Sequence, residues 1–492
     1  MIEFEIISPS VALIHNYQQH LPSLRKELTY RNLTNVYAYN KHNQKKWLQR
    51  KDPIAFEEEA ERLKKLIYQN ILFNHNGKLA TYPGIIPYLK TPHKVVNRID
   101  YPPFKPLPWQ ASLPFNPYSY QEEAVRNLLE AKHAHISAAT GLGKTLIILM
   151  LARNAGLDMV ITTPAQSIFA DLLKECETYL GKNVVGAYGD GKKDLTKKIT
   201  VAINRSLSMV KEGTPAWEFF SKKKVMIVDE THAFGSEDLS KTAFGLLKDI
   251  PYRFFLSATP IRMDGTQTLL NAIIGKCVLD MDLEKGIKGG YLSPLKFKII
   301  NTRTPNTLNF QDPIEAKREY FLRNPNIAEI AGRLGNANWT VKGENTLILV
   351  EELQQIQMIA KHLTVPYGYV HSGSKAEAES YGLKKVNATE EIERFNKGEI
   401  KVLIGTRSVA TGTNIFSHHT INCMGGTSEV ATMQGAVGRS TRQTDKSKYA
   451  QYHKPKHFCV IYDFNVTNSE IMVRQLEKRI EFYRQSGEDV VY

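Results

Sequence analysis

Three short stretches of this chain carry residue types that, at their spacing, can handle a nucleoside triphosphate. Ala138 to Thr145 reads AATGLGKT and lies between two apolar runs, the second of helical character. Gly141 and Gly143 let the backbone turn tightly and aim successive N–H groups inward, making an anion nest at the positive end of a helix expected to begin near Lys144. With Thr140 in its wall, the nest fits a triphosphate. Lys144 would reach the β- and γ-phosphates, and the Thr145 hydroxyl would take one place on a Mg2+ ion bridging their oxygens. A glycine-rich helix cap is the plain alternative, so the loop needs partners elsewhere.

The second stretch supplies them. Val225 to Val228 is a buried-strand run that delivers Asp229 and Glu230 at its carboxyl end. An aspartate there can hold Mg2+ through its water shell, and the adjacent glutamate can orient and deprotonate an attacking water. Paired acids at a strand end are common in proteins that do no chemistry; the AATGLGKT loop upstream in the same pattern is what favours catalysis. The third stretch is GRSTR, residues 438 to 442. Arg439 and Arg442 are expected on one helix, spaced to face one side and reach a γ-phosphate; a solvated helix face is the alternative.

These groups need a scaffold, and the apolar pattern predicts one. From Ala134 onward, strand-like runs alternate with helical segments, the signature of parallel sheets covered by helices. The first block has expected strands at 134–138, 159–163, 199–203, 225–228 and 253–257, and the second at 296–301, 346–350, 367–370, 402–405, 420–423 and 458–462. Ligands of such sheets bind at the carboxyl ends of the strands. Gly286 to Pro294, between the blocks, has hinge composition. After Asp463 a terminal helix is expected, with Arg474, Lys478, Arg479 and Arg484 on a basic outer face.

The 492 residues allow about three domains. The expected division is 1–109, 110–288 and 289–492. Residues 1–109 read as a small α+β domain, with strands at 2–7, 35–39 and 78–82 and a helix at 54–69, followed by a proline-rich linker from Tyr101 to Pro117. The net charge of +14 favours a polyanionic partner. Half of that excess lies in residues 1–110, where 16 Lys and Arg face 9 Asp and Glu. There Tyr37, Tyr39, Lys41, Lys45, Lys46, Trp47, Arg50 and Lys51 interleave aromatic rings with cations, as a surface that stacks bases and neutralises phosphates would; a solvated basic face with core tyrosines serves equally. The clusters Lys192–Lys198 and Lys446–His457, the latter with Tyr449 and Tyr452, could line a strand channel or be solvated loops. Cys176, Cys277, Cys423 and Cys459 lack metal-site or disulfide spacing and are expected as buried thiols. No run is apolar enough to span a membrane and the N-terminus is acidic, so a cytoplasmic location with no membrane partner is expected.

Taken in order, these motifs resemble those of the superfamily 2 helicases and nucleic-acid translocases over roughly residues 115 to 465. The resemblance implies an α/β fold of two tandem RecA-like domains, preceded here by the small α+β accessory domain, with ATP and Mg2+ as cofactors. It implies that Gln121, in PYSYQ, reads adenine. It places Thr163 and Pro164, then Asn204 and Arg205, at contacts to the tracking strand, and it gives Ser257 and Thr259 of SATP the coupling of nucleotide state to domain closure. In VLIGTRSVATGTNI, Thr406 and Thr411 become nucleic-acid contacts and Gly412 a nucleotide contact, while Arg439 and Arg442 become arginine fingers. Two departures stand out. Gln434 lies one residue further upstream of the Gly-Arg pair than the family places its glutamine, and DETH replaces the DEAD of the RNA helicases named for it. GGYLSP at 289–294 and NGKLATYPGIIPYLK at 76–90 are similar to the phage recombination and branch-migration helicases, which implies a phage-encoded protein acting on single-stranded or branched DNA. An RNA helicase, a double-strand translocase that does not separate strands, and a non-catalytic binding module remain as alternatives. The sequence names no protein partner.

Overall fold

The computed structural model describes every residue except 114–115, 165, 235, 259, 263, 372, 407–414, 427–440, 444–448, 486–489 and 492. The chain divides into two compact units, residues 1–138 with 143–281, and residues 139–142 with 282–492. Among the described residues no helix is long and apolar enough to cross a membrane.

In the first unit an eight-stranded sheet runs in the order 192–193, 185–189, 199–203, 159–163, 225–228, 252–257, 133–138, 276–281. Its pairings are parallel apart from the short hairpin that adds 192–193. The central strands Met159–Thr163 and Val225–Val228 are buried at every position, as a parallel sheet covered on both faces requires. Three strands were not legible in the sequence: Val185–Gly189 is glycine-rich, Lys192–Lys193 is two charged residues long, and Lys276–Met281 carries Lys276 and Asp280 because it lies at the sheet edge. Cys277 sits on that edge strand and is exposed, unlike the other cysteines, which corrects its expected burial.

Residues 2–97 of the same unit form a second, five-stranded sheet in the order 73–75, 78–81, 11–15, 2–8, 93–97. The expected strand at 35–39 is instead part of a helix, Leu33–Asn43. Asn32 caps it by accepting from the Asn35 N–H at 3.2 Å, and only His42 is buried, so the alternating Val-Tyr-Ala-Tyr pattern has no sheet face to match. The next helices are Lys46–Lys51 and Pro53–Lys65, and the latter ends early enough for Tyr68–Asn70 to pair with Thr29–Arg31.

This N-terminal sheet shares a core with the larger one. Ile2, Phe4, Ile14, Leu24, Ile85 and Ile86 pack in one cluster with Ala272. Tyr82 stacks on Phe244 with centroids 3.7 Å apart and planes 6° apart. Arg253, fully buried, donates to the carbonyls of Ile250, Leu247 and Lys248 and to the Ser10 hydroxyl at 3.0 Å. Removing residues 1–109 would therefore expose apolar surface on the first sheet's own helices, and point substitutions probe the domain more cleanly.

The second unit is a seven-stranded, wholly parallel sheet in the order 367–370, 402–405, 346–349, 419–422, 459–466, 295–302, 490–491. Side chains alternate faces along Thr346–Leu349: Ile348 joins one core cluster with Ile404 and Ile421, while Leu347 and Leu349 join another with Leu403 and Val370. The helix Glu470–Gln485 packs Leu476, Ile480 and Tyr483 over Leu295 and Phe297. Arg479 turns inward rather than lying on the expected basic outer face. It is 4% exposed and grips Asp463 through two bonds of 2.7 and 3.1 Å, and the Tyr483 hydroxyl donates to the same carboxylate at 2.7 Å. The Gly286–Pro294 stretch, expected as a hinge, begins inside a short helix, Leu283–Lys288.

The shared core of the first unit makes a stability prediction. A Cβ on Gly84 would fall inside van der Waals contact with the Ala272 carbonyl, whereas one on Gly245 would meet open space. Gly84→Ala should cost about 1–3 kcal/mol, and Gly245→Ala should stay within about 0.5 kcal/mol of the parent. Urea melts of both variants, followed by tryptophan fluorescence, check the pair.

Candidate functional site

The AATGLGKT loop joins the strand His133–Ala138 to the helix Lys144–Ala155. Gly141 and Gly143 have φ of +94° and +70°, left-handed values that a side chain disfavours. Gly143 has a second constraint: a Cβ there would lie 2.5 Å from the Gln121 side-chain amide nitrogen. Gln121 is 2% exposed, and its Oε1 accepts from the Tyr118 N–H at 2.9 Å, so the capping turn of Ser119–Ala131 holds the glutamine against the loop glycine. Thr140 is half-buried, and Thr145 is exposed in the first turn of its helix.

Lys144 is only 8% exposed. Its Nζ donates to the Ala138 carbonyl at 3.1 Å and meets Glu230 Oε1 at 3.2 Å. The loop lysine and the strand-end acid, far apart in sequence, are thus one ion pair. Asp229 is 7% exposed, and its N–H extends the sheet ladder to Thr162 O at 3.0 Å. Burial raises the Asp229 carboxyl above the usual carboxylate range, the Glu230 charge adds to this, and Lys144 opposes it. A divalent cation would offset that penalty, because it supplies the positive charge the buried acid lacks.

Glu230 has φ of +47°, one of five non-glycine residues with positive φ among those described. Such a conformation costs on the order of 1 kcal/mol. Thr231, 1% exposed, secures the turn by donating from Oγ1 to the Leu256 carbonyl at 3.1 Å. That contact ties the acid pair to the strand Tyr252–Ser257, whose last residue, Ser257, is 1% exposed. Thr259 lies outside the described residues. Sequence reasoning missed Thr231 as the anchor and the backbone strain at Glu230; neither hydroxyl-to-carbonyl contacts nor φ leave a sequence signal at this position.

The donor set fits Mg-ATP. The glycine loop, Lys144 and Gln121 would form the cradle, Thr145 and Asp229 would offer hard oxygen ligands, and Glu230 is a carboxylate beside them. Among the described residues there is no group of three or more His, Cys, Asp or Glu that could hold a metal ion.

The expected strand contacts fall at neighbouring strand ends. Thr163 and Asn204 end or follow the paired strands Met159–Thr163 and Ile199–Ile203, with Thr163 opposite Ile203. Thr163 is wholly buried and Asn204 1% exposed, so neither presents surface there, and half-buried Pro164 does. Arg205 is exposed and pairs with Asp238 at 3.3 Å. In the second unit Thr406 follows the strand Val402–Gly405, 6% exposed, and its N–H donates to Val370 O at 3.1 Å. Thr411, Gly412 and Arg439 lie outside the described residues. Arg442 is half-buried, and Thr441 to Gln443 form turn and coil, not the expected helix. The reason is local: the Thr441 carbonyl accepts from the Ser293 N–H at 2.7 Å and the Arg442 carbonyl from Lys456 Nζ at 3.1 Å, so helix donors have no place there.

Comparison with known proteins gives a consistent picture. Residues 114–262 match the family described as Type III restriction enzyme, res subunit, and residues 328–444 match the Helicase conserved C-terminal domain. The DNA 3'-5' translocase XPB2 of Sulfurisphaera tokodaii is 24% identical over 366 residues, 66% of this chain and 79% of the translocase. The ATP-dependent DNA helicase uvsW of Enterobacteria phage T4 is 23% identical over 350 residues, covering 66% of each chain. A Dbp5 structure from S. cerevisiae, bound to RNA and ADP BeF3, shares the fold with a TM-score of 0.51 at 14% identity, over 76% of this chain and 90% of its own.

The site geometry separates two roles by kinetics. Gly143→Ala combines left-handed strain with a clash against Gln121, so it should raise the KM for ATP about tenfold, the effect of about 1.4 kcal/mol. Glu230→Gln keeps the shape and removes the base, so it should lower kcat about 10²- to 10⁴-fold with far less effect on KM. Steady-state ATP hydrolysis of both variants distinguishes them; a Glu230→Gln protein turning over at the parent rate would remove Glu230 from the chemistry.

Proposed function

The chain belongs to the superfamily 2 helicases and translocases and is an ATP-dependent helicase of two RecA-like domains, and from that premise we propose that it moves along DNA and remodels branched DNA, forks and four-way junctions. The observation that carries the motor assignment is the ion pair of buried Lys144 with half-buried Glu230, beside Asp229 and against a loop whose glycines are left-handed. Mg-ATP, when bound, supplies the phosphoanhydride bond whose hydrolysis drives the cycle. Lys144 and the loop N–H groups bind the phosphates, Thr145 and Asp229 hold the cation, and Gln121 reads the base. Glu230 orients the attacking water and accepts its proton. Arg439 and Arg442 complete the charge stabilisation from the second RecA-like domain, which makes hydrolysis conditional on closure.

DNA as the track is supported by the names of the relatives, a DNA translocase and a DNA helicase, and by the N-terminal surface. Movement from 3′ to 5′ follows the first of those names. On the N-terminal surface Tyr37 is 68% exposed and Trp47 64% exposed, on successive helices that also present Lys41, Lys46, Arg50 and Lys51 to solvent. Exposed rings beside cations suit unpaired bases at a branch point, because every base has a stackable face and every phosphate a charge. Thr163, Pro164, Asn204, Arg205, Thr406 and Thr411 would form the track itself, and Ser257 and Thr259 would couple it to the nucleotide.

Two measurements test this reading. ATP turnover at one fixed salt concentration should be stimulated most by forked or four-way DNA, less by single strands and least by RNA, and Lys144→Ala should abolish it. Stimulation by RNA alone would overturn the DNA assignment. Trp47→Ala should cost roughly 1–3 kcal/mol of affinity for a DNA fork, the worth of one stacked base, read as fluorescence anisotropy; unchanged fork affinity would remove this surface from recognition.

A further inference from the structure

Lys456 lies just before the strand Cys459–Val466, inside the basic stretch whose role the sequence left open. It is 7% exposed, and burial lowers its pKa from the ordinary lysine value. A buried ammonium must have its N–H donors engaged, because leaving them unpaired away from water is costly. Lys456 Nζ donates to the Ser417 carbonyl at 2.6 Å and to the Arg442 carbonyl at 3.1 Å. One side chain therefore links two chain segments: the turn entering the strand His419–Asn422, and the peptide of Arg442.

The surroundings make this link stiff. On the Ser417 side, Asn345 donates to the Phe416 carbonyl at 2.8 Å and accepts from the His418 N–H at 3.0 Å, so the turn is held on both sides of the contact. Strand pairing of His419 with Val460 fixes the distance between that turn and Lys456 itself. On the Arg442 side, the preceding carbonyl, of Thr441, is held by the Ser293 N–H at 2.7 Å, and Gln443 donates to the Gly290 carbonyl at 2.9 Å. Arg442 is thus a non-helical residue whose peptide is fixed by its neighbours and by one lysine. With no helix to set its direction, the orientation of its Cα–Cβ bond depends on those contacts.

We propose that Lys456 is a positioning residue for ATP hydrolysis: by holding the Arg442 carbonyl and the Ser417 carbonyl together, it aims the Arg442 guanidinium. The inference rests on the reading of Arg442 as an arginine that stabilises charge on the transferring phosphate. Lys456 touches no nucleotide and carries no proton in the reaction. Its effect belongs in turnover, because a displaced finger costs the transition state and leaves the phosphate loop, Lys144 and Gln121 to bind ATP as before.

The test is a double-mutant cycle in DNA-stimulated ATPase, using full-length protein. Lys456→Met keeps the aliphatic stem and removes the donors; it should lower kcat about 10- to 100-fold, the cost of misplacing a catalytic group by about 1 Å, with KM for ATP within about twofold of the parent. Lys456→Arg, which can still donate to both carbonyls, should recover part of the loss. Arg442→Ala should lower kcat about 1,000-fold or more, and adding Lys456→Met to it should change kcat less than about twofold, because the lysine would have nothing left to aim. A full Lys456→Met penalty in the Arg442→Ala background would overturn the inference, as would a loss confined to KM or a parental kcat in Lys456→Met. Parental turnover in Arg442→Ala would instead overturn the finger reading on which it rests.

Discussion

The site depends on one buried ammonium. Lys144 leaves water at the end of a fully covered sheet, and it can do so because the Ala138 carbonyl and the Glu230 carboxylate each take one of its N–H donors. Both partners are in place only if two strands that are remote in sequence lie one strand apart in the sheet, His133–Ala138 and Val225–Val228 on either side of Tyr252–Ser257. The carboxylate is also held by a backbone conformation that it would not choose alone, with φ of +47° at Glu230. Thr231 fixes that turn to the intervening strand. Strain, burial and the ion pair are therefore one arrangement.

The same economy of buried polar groups recurs elsewhere in the fold. Carbonyls and the Ser10 hydroxyl serve Arg253, and they bring a turn of the N-terminal sheet against the larger sheet. Arg479 donates to the Asp463 carboxylate, which also accepts from the Tyr483 hydroxyl, and to the Gly426 carbonyl at 2.9 Å, locking the last long helix to its strand. Lys456 takes two carbonyls and holds Arg442. In each case a long cation fastens main-chain segments together, because a buried donor left unpaired costs more than the order needed to pair it.

Exposed aromatic rings on the N-terminal helices answer to a different constraint. Tyr37 and Trp47 stand in solvent although apolar surface is normally withdrawn, and the cations beside them favour a polyanion. The sheet of that domain shares a core with the first RecA-like domain, in the unit that contains Lys144.

The sequence by itself determined the fold class, nearly all the central strands and the phosphate loop, because runs such as VMIV and MVITT can only be satisfied in a doubly covered parallel sheet and because AATGLGKT needs left-handed glycine. It misassigned the helix Leu33–Asn43, where a residue alternation with no buried face imitated a strand, and the turn at Arg442, where spacing imitated a helix. It also turned Arg479 outward and Cys277 inward, because charge and polarity give an average preference and not a direction. Only the tertiary structure decided that Lys144 meets Glu230, that Gln121 lies against Gly143, that Thr163 and Asn204 are buried, and that a lysine from the basic stretch before Cys459 holds Arg442. The physical reason is common to them all: each is a contact between strands or loops brought together by sheet order, and local pattern carries no information about which strand lies beside which.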